Sequence, residues 1–322
     1  MLKMYAKLVL RGSNMSAITK IISLFWKINE KNDNKRLSKQ TEPSGLTQIK
    51  DVPYSDSEHP LKKLDVYYPE GTPEDAKLPV VIDIHGGGWY YGTKELNKNY
   101  CLSIAKRGFA VFSMSYRLAP EVCMNEQLCD VMQALKYINL HLGDYPCDKS
   151  KILLTGDSAG GQLASFAAAL CRSGELRKAF DSVDPEIELT ALGLTSPVAY
   201  LKPNRGLVGI NFATVLGKGF ESKPFGKYVD IDKLLDVTEL PPAFLVTSSG
   251  DFVGREPTRR LFNDIKSRGG TAYLSDWEKT NGKDLPHVFS VLYPENSESA
   301  KAIDDMLIFF MRHSKEKELI GG

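Results

Sequence analysis

Residues 151 to 170 read KILLTGDSAGGQLASFAAAL, and this stretch decides the fold. An apolar run, Lys151 to Thr155, reads as a strand covered on both faces. Gly156-Asp157-Ser158-Ala159-Gly160 follows, and then small and apolar residues suited to a helix packed close behind the strand. A serine on such a tight strand-to-helix turn is held in a strained backbone that presents its hydroxyl, and side chains two positions to either side would collide. Glycine at 156 and 160 meets that demand. The bare G-x-S-x-G pentapeptide is weak by itself; strand before and helix after give it meaning. Asp157, beside the serine, reads as support for the turn.

Upstream, the run PVVIDI ends at Ile84 and gives way to His85-Gly86-Gly87-Gly88-Trp89. Consecutive glycines let the main chain pass close to a reacting centre and aim N–H groups at an oxyanion. Two such motifs in this order point to acyl transfer on a serine. An activated serine needs a base, and the base needs a carboxylate to fix its tautomer; after such a turn the chain order is serine, acid, histidine. Of five histidines (His59, His85, His141, His287, His313), only His287 and His313 follow Ser158, and His313 sits in the polar end of the last helical stretch. His287 is therefore the expected base. Asp251, just past the run AFLVTSS, is the expected acid, because it leaves the sheet at the carboxyl edge where open α/β sheets place ligands. Asp276 and Asp284, on the approach to His287, remain alternatives.

Further out, short apolar runs alternate with helical patterns: strands at 64–68, 80–84, 109–115, 151–155, 189–195, 243–248 and 271–274, helices at about 94–107, 125–141, 159–172, 255–268 and 298–313. This is an α/β chain with a mostly parallel central sheet flanked by helices. Residues 200 to 240 break the rhythm and read as an insertion. Residues 1 to 50 hold ten Lys or Arg and three Asp or Glu, a net +7, while the whole chain carries +1, so the other 272 residues carry −6. Within that segment Met15, Ile18, Ile21, Ile22, Phe25 and Ile28 recur at helical spacing, an apolar stripe that asks for a surface. Residues 30 to 48 are polar and read as a loop. The division expected is 1–50 as N-terminal helix and linker, and 51–322 as the body with an insertion at about 200–240.

Composition removes other classes. The 322 residues are 42% hydrophobic and 25% charged, the range of a folded globular chain. A charge of +1 lacks the basic excess a nucleic-acid binder needs, so no nucleic-acid partner is expected. No apolar run reaches the roughly 18 residues of a membrane span, and lysines interrupt the early apolar segment where a secretory signal would lie. Cys101, Cys123, Cys129, Cys147 and Cys171 form no CxxC pair or zinc spacing, which reads as reduced thiols in a cytoplasmic protein and no metal site. Dinucleotide-binding, P-loop and HExxH motifs are absent from the sequence.

HGGGW at His85 to Trp89, YRLAPE at Tyr116 to Glu121, GDSAGG at Gly156 to Gly161, then Asp251 and His287, together resemble the hormone-sensitive-lipase-like branch of the α/β-hydrolase superfamily, over about residues 62 to 313. The resemblance implies an α/β-hydrolase fold with a helical cap, built from the N-terminal segment and the 200–240 insertion. It implies a carboxylic-ester hydrolase without a cofactor, acting on a small-molecule ester. Ser158, Asp251 and His287 would be the triad and the N–H groups of Gly87, Gly88 and Ala159 the oxyanion hole, with His85, Gly86, Gly156, Asp157 and Gly160 as support. Trp89 and Tyr90, just beyond the glycines, are candidate substrate-pocket residues; packing beneath the cap is the other reading of them. Arg117 is expected on a buried carboxylate. The sequence departs from the family at Phe252-Val253, where D-x-L is common after the acid, and at Val288, where glycine often follows the histidine. LDVYYP at 64–69 is similar to relatives that remove acyl groups from plant polysaccharides, so a sugar-borne acetyl or feruloyl ester is an alternative substrate. A hydrolase-fold protein that binds a small ligand without turnover is another, although such proteins have usually lost the serine or histidine. The +7 helix admits anionic lipid as a partner, with burial against the acidic body the simpler account, and the reading leaves room for a homo-oligomer.

Overall fold

A computed structural model of the chain describes residues 15–201, 207–280, 282 and 284–320, with backbone alone for 15–23, 207–211 and 315–320. Eight strands form one sheet: β1 (Leu46–Pro53), β2 (Lys63–Pro69), β3 (Leu78–Ile84), β4 (Ala110–Met114), β5 (Cys147–Asp157), β6 (Ala191–Thr195), β7 (Ala243–Ser248) and β8 (Ala272–Trp277). Their order is β1-β2-β4-β3-β5-β6-β7-β8. β2 runs antiparallel to β1 and β4; every other pairing is parallel.

The near-continuous apolar runs suit this placement, since a parallel strand under helices must be apolar on both sides. Alternate residues divide between two cores. Val80, Ile82, Ile84, Ala110, Phe112, Ile152 and Leu154 pack on one face, while Val81, Val111 and Leu153 pack on the other. The helices follow as α1 (Met15–Leu37), α2 (Lys98–Ala105), α3 (Met124–His141), α4 (Ser158–Arg172), α5 (Gly174–Ala179), α6 (Leu207–Leu216), α7 (Ile231–Leu235), α8 (Arg255–Ser267), α9 (Phe289–Leu292) and α10 (Ser297–Ile320). α3 and α4 cover the first face; α2 and α10 cover the second.

Two expectations change at the N-terminus. The stretch 30–48 is not all loop: α1 continues to Leu37, and β1 begins at Leu46, so the sheet starts five residues before the division at 50 and 51. The apolar stripe also faces differently from the expectation. Phe25 and Ile28 are exposed, whereas Trp26, outside that stripe, packs on the core; the side chains of Met15, Ile18, Ile21 and Ile22 lie outside the described residues. Polar anchors explain the difference. Asp33 accepts a hydrogen bond from the Tyr91 hydroxyl at 2.7 Å, and Arg36 Nη1 and Gln40 Nε2 donate to the Leu292 carbonyl at 2.8 and 2.7 Å.

In the 200–240 insertion the described residues form α6, two 3₁₀ turns and α7, and they bury Phe212, Leu216, Phe220, Phe225, Tyr228 and Ile231; residues 202–206 of that expected insertion lie outside the described set. No helix among the described residues is long and apolar enough to cross a membrane.

Candidate active site

Four strand ends converge at the carboxyl edge of the sheet. β3 delivers His85 to Trp89, β5 delivers Ser158, β7 delivers Asp251 and β8 leads to His287. Ser158 has φ +51, the left-handed region that side chains rarely adopt. Its neighbours explain why glycine flanks it. A Cβ on Gly156 would meet the Gly160 carbonyl, and one on Gly160 would strike the Ile84 and His85 carbonyls.

His287 Nε2 lies 2.9 Å from Ser158 Oγ, and His287 Nδ1 lies 2.7 Å from Asp251 Oδ1. With Nδ1–H donating to the carboxylate, Nε2 is left to accept the serine proton. Asp251 is 3% exposed. Burial alone would raise its pKa, yet His287, the Ser196 hydroxyl and the Gly254 N–H outweigh it and hold the carboxyl below its ordinary value. The N–H groups of Gly254 and Val253 donate to Asp251 Oδ1 at 2.6 and 3.1 Å, so the acid is fixed in the orientation the histidine needs. The alternative acids are engaged elsewhere. Asp276 pairs with Arg255 and Arg259, and Asp284 with Lys279 and Ser249. His313 Nδ1 bonds the Phe309 carbonyl on α10.

The glycine loop lies against the nucleophile turn, Gly86 on Asp157 and the His85 carbonyl on Gly160. Gly87 and Gly88 have φ +101 and +58, and among the described residues no hydrogen bond takes up their N–H groups. The Ala159 N–H is in the first turn of α4, where donors have no partner within the helix. These are the three N–H groups the sequence expected as oxyanion donors. The loop is held from beneath: the Gly86 N–H donates to Asp157 Oδ1 at 2.8 Å, Asn97 Nδ2 bridges Asp157 Oδ1 and Asp83 Oδ2 at 2.8 and 3.0 Å, and the Tyr116 hydroxyl donates to the His85 carbonyl at 2.8 Å. Burial, then the Asp157 charge, pushes Asp83 up to about 8, so at neutral pH this carboxyl keeps its proton. Burial also raises Asp157, although the Asn97 and Gly86 donors favour its charged form. His85, buried with Nδ1 on the Gly86 carbonyl, is pushed down to about 4 and stays neutral.

Trp89 and Tyr90 do not offer open faces. Trp89 is 3% exposed, donates from Nε1 to Gln162 Oε1 at 3.0 Å and meets Phe212 edge-on, and Tyr90 is buried with its ring stacked on Trp26. These expected pocket residues are packed, because Phe212 lies against Trp89 and Trp26 against Tyr90. The wall above Gly88 is instead Trp26, whose indole stands where a Cβ on Gly88 would project. Trp26, Asn97 and Tyr116 were not legible as site residues, since each acts on a partner far away in the chain. Arg117 sits on the fully buried Asp130 in two hydrogen bonds of 2.7 and 2.8 Å. Phe252 is 97% exposed beside the acid. Among the described residues no group of three His, Cys, Asp or Glu is arranged to hold a metal ion.

Residues 64–192 match the BD-FAE family model. Esterase B from Lactobacillus rhamnosis, solved with a tributyrin phosphonate inhibitor, superposes with a TM-score of 0.90 at 29% identity, over 96% of this chain and 99% of that one. The fold is that of the α/β-hydrolases, and the chain is similar to their esterases. Curated relatives of this α/β-hydrolase include esterase LipQ of Mycobacterium tuberculosis, 24% identical over 81% of the chain, and isoprenylcysteine alpha-carbonyl methylesterase ICME of Arabidopsis thaliana, 27% identical over 67%. The α/β-hydrolase chain spans 62% and 52% of the length of those two relatives.

Proposed function

We propose that the chain is a serine carboxylic-ester hydrolase of short-to-medium acyl esters, working through an acyl-enzyme. The observation that carries this is the unbroken line from Asp251 to His287 to Ser158 at 2.7 and 2.9 Å; the Gly87, Gly88 and Ala159 N–H groups are the oxyanion donors in this reading. Ser158 Oγ attacks the ester carbonyl as its proton passes to His287 Nε2, and the carbonyl oxygen gathers negative charge against the three N–H groups. The C–O bond to the alcohol then breaks, the alcohol takes the proton from His287, and the acyl group stays on Ser158. Water attacks that ester by the same route, giving its proton to His287, which passes it to Ser158 Oγ as the acyl–oxygen bond breaks and the acid leaves. Asp251, held ionised, orients the ring and stabilises its transient positive charge. A protein that only bound a ligand would gain nothing from this alignment.

In this reading α1 and the 200–240 insertion form the cap, with Trp26 as a wall above Gly88. The tributyrin phosphonate in esterase B supports short acyl chains as the substrate class. All five cysteines are free, which supports a reducing, cytoplasmic setting. The test is initial-rate hydrolysis of nitrophenyl esters of increasing acyl length beside acetylated and feruloylated sugars. Preference for simple esters of two to about eight carbons supports the reading; activity confined to sugar esters replaces the substrate class, and no hydrolysis of any ester by folded protein overturns the function.

A further inference from the structure

The two sides of α1 do different things. Trp26, Asp33, Arg36 and Gln40, three to seven residues apart, form the side anchored on the body, through Gly88, the Tyr91 hydroxyl and the Leu292 carbonyl. The opposite side carries Leu24, Phe25 and Ile28, exposed by 57, 46 and 38%. At 100° per residue these three make one outward ridge. Lys27, Lys31 and Lys35, all exposed, run along one flank of that ridge; the acid Glu30 points to the far side of the helix. We propose that this outward face docks on an anionic phospholipid surface. The proposal goes beyond ester hydrolysis and does not depend on it.

Three physical arguments select lipid as the occupant. An apolar ridge edged by lysines on a helix with a polar opposite side is the pattern of an interfacial helix, which sinks its ridge to the level of the acyl boundary while the ammonium groups reach back to the headgroups. A protein partner covering the ridge would have to desolvate those lysines, or supply a carboxylate for each. Charge is also arranged to orient the molecule. The first fifty residues carry +7 and the remainder −6, so an anionic surface attracts the helix and repels the body, leaving α1 against the lipid. With an α-helix about 10–12 Å across, the inward Trp26 then holds the site one helix thickness from the membrane.

The experiment is sedimentation of the full-length chain with vesicles of phosphatidylcholine alone, or mixed with phosphatidylglycerol, at low and high salt. Wild type is expected to sediment with the phosphatidylglycerol vesicles, much less with phosphatidylcholine, and to be released as salt rises. Two independent variants, Leu24→Ser with Ile28→Ser and Lys27→Glu with Lys31→Glu, should each weaken binding by about tenfold or more while circular dichroism and hydrolysis of a soluble short ester stay at wild-type values. Wild type that ignores anionic vesicles overturns the proposal, as do folded variants that bind as well as wild type. A wild-type dimer that Leu24→Ser with Ile28→Ser dissociates also overturns it, because a second copy then covers the ridge.

Discussion

Ser158, Asp251 and His287 come from three separate stretches, yet the serine and the acid are each positioned by groups within three residues of themselves. Ser158 is lifted by a backbone that only glycines at 156 and 160 permit, and Asp251 is aimed by the N–H groups of Gly254 and Val253. Ser158→Ala should therefore lower ester hydrolysis by roughly 10⁴- to 10⁶-fold while unfolding at the same denaturant midpoint; a folded variant with a tenth of wild-type activity would remove the nucleophile from Ser158. Asp251→Asn should cost about 10³- to 10⁴-fold in kcat with little change in KM, since the carboxylate acts on the histidine and never touches the ester. Asp284→Asn, on an exposed ion pair with Lys279, should leave the rate within about twofold. Equal losses from both substitutions would reopen the choice of acid. These local demands are why the glycine-serine turn and the HGGG loop could be read from sequence, whereas Trp26, which covers Gly88, and Asn97, which joins Asp83 to Asp157, could not, because each works on partners brought near only by the fold.

Among the elements, α1 and the glycine loop behave as a pair. The indole of Trp26 covers Gly88 and stacks on Tyr91 at 5.5 Å between ring centres, and Asp33 takes the Tyr91 hydroxyl. Trp26→Ala should enlarge the space above the oxyanion donors, so that KM for short esters rises several-fold while bulkier esters are accepted better. Steady-state kinetics over a series of acyl and alcohol sizes check this, and an unchanged size profile would mean that Trp26 is only packing. The same pair shows where sequence reading runs short. Strands β2 to β7 were legible because burial demands apolar runs, whereas β8, an edge strand with no buried residue, was read only over its first half. β1 is an edge strand of half-covered and exposed residues, and so it carries little of that signal. Past residue 30, α1 is anchored by Asp33, which accepts from the Tyr91 hydroxyl, and by Arg36, which donates to the Leu292 carbonyl, and hydrophobic periodicity does not register such bonds.

For the whole molecule, the core beneath the site keeps two acids, Asp83 and Asp157, linked through Asn97. Asp83, raised to about 8 in the folded state by burial and the Asp157 charge, binds its proton there more tightly than in the unfolded chain. Stability from this group is thus fully present below the unfolded carboxyl value of about 4 and declines as pH rises from there toward 8, by on the order of 1 kcal/mol per pH unit. Asp83→Asn should flatten that decline: in denaturant unfolding at pH 5, 7 and 9, the variant gains on wild type as pH rises, and a difference independent of pH would show that Asp83 is charged in the fold. The central claim is that the fold brings Ser158 to a base and an acid so that this serine attacks esters. Its most direct test is mass spectrometry after reaction with a short-chain nitrophenyl alkylphosphonate, run on wild type and on His287→Ala. The account predicts one phosphonyl group per wild-type chain, mapped to Ser158, with hydrolysis lost in step with labelling, and labelling slowed by orders of magnitude without His287. Labelling at another residue, or full hydrolysis by a chain whose Ser158 is blocked, would contradict it.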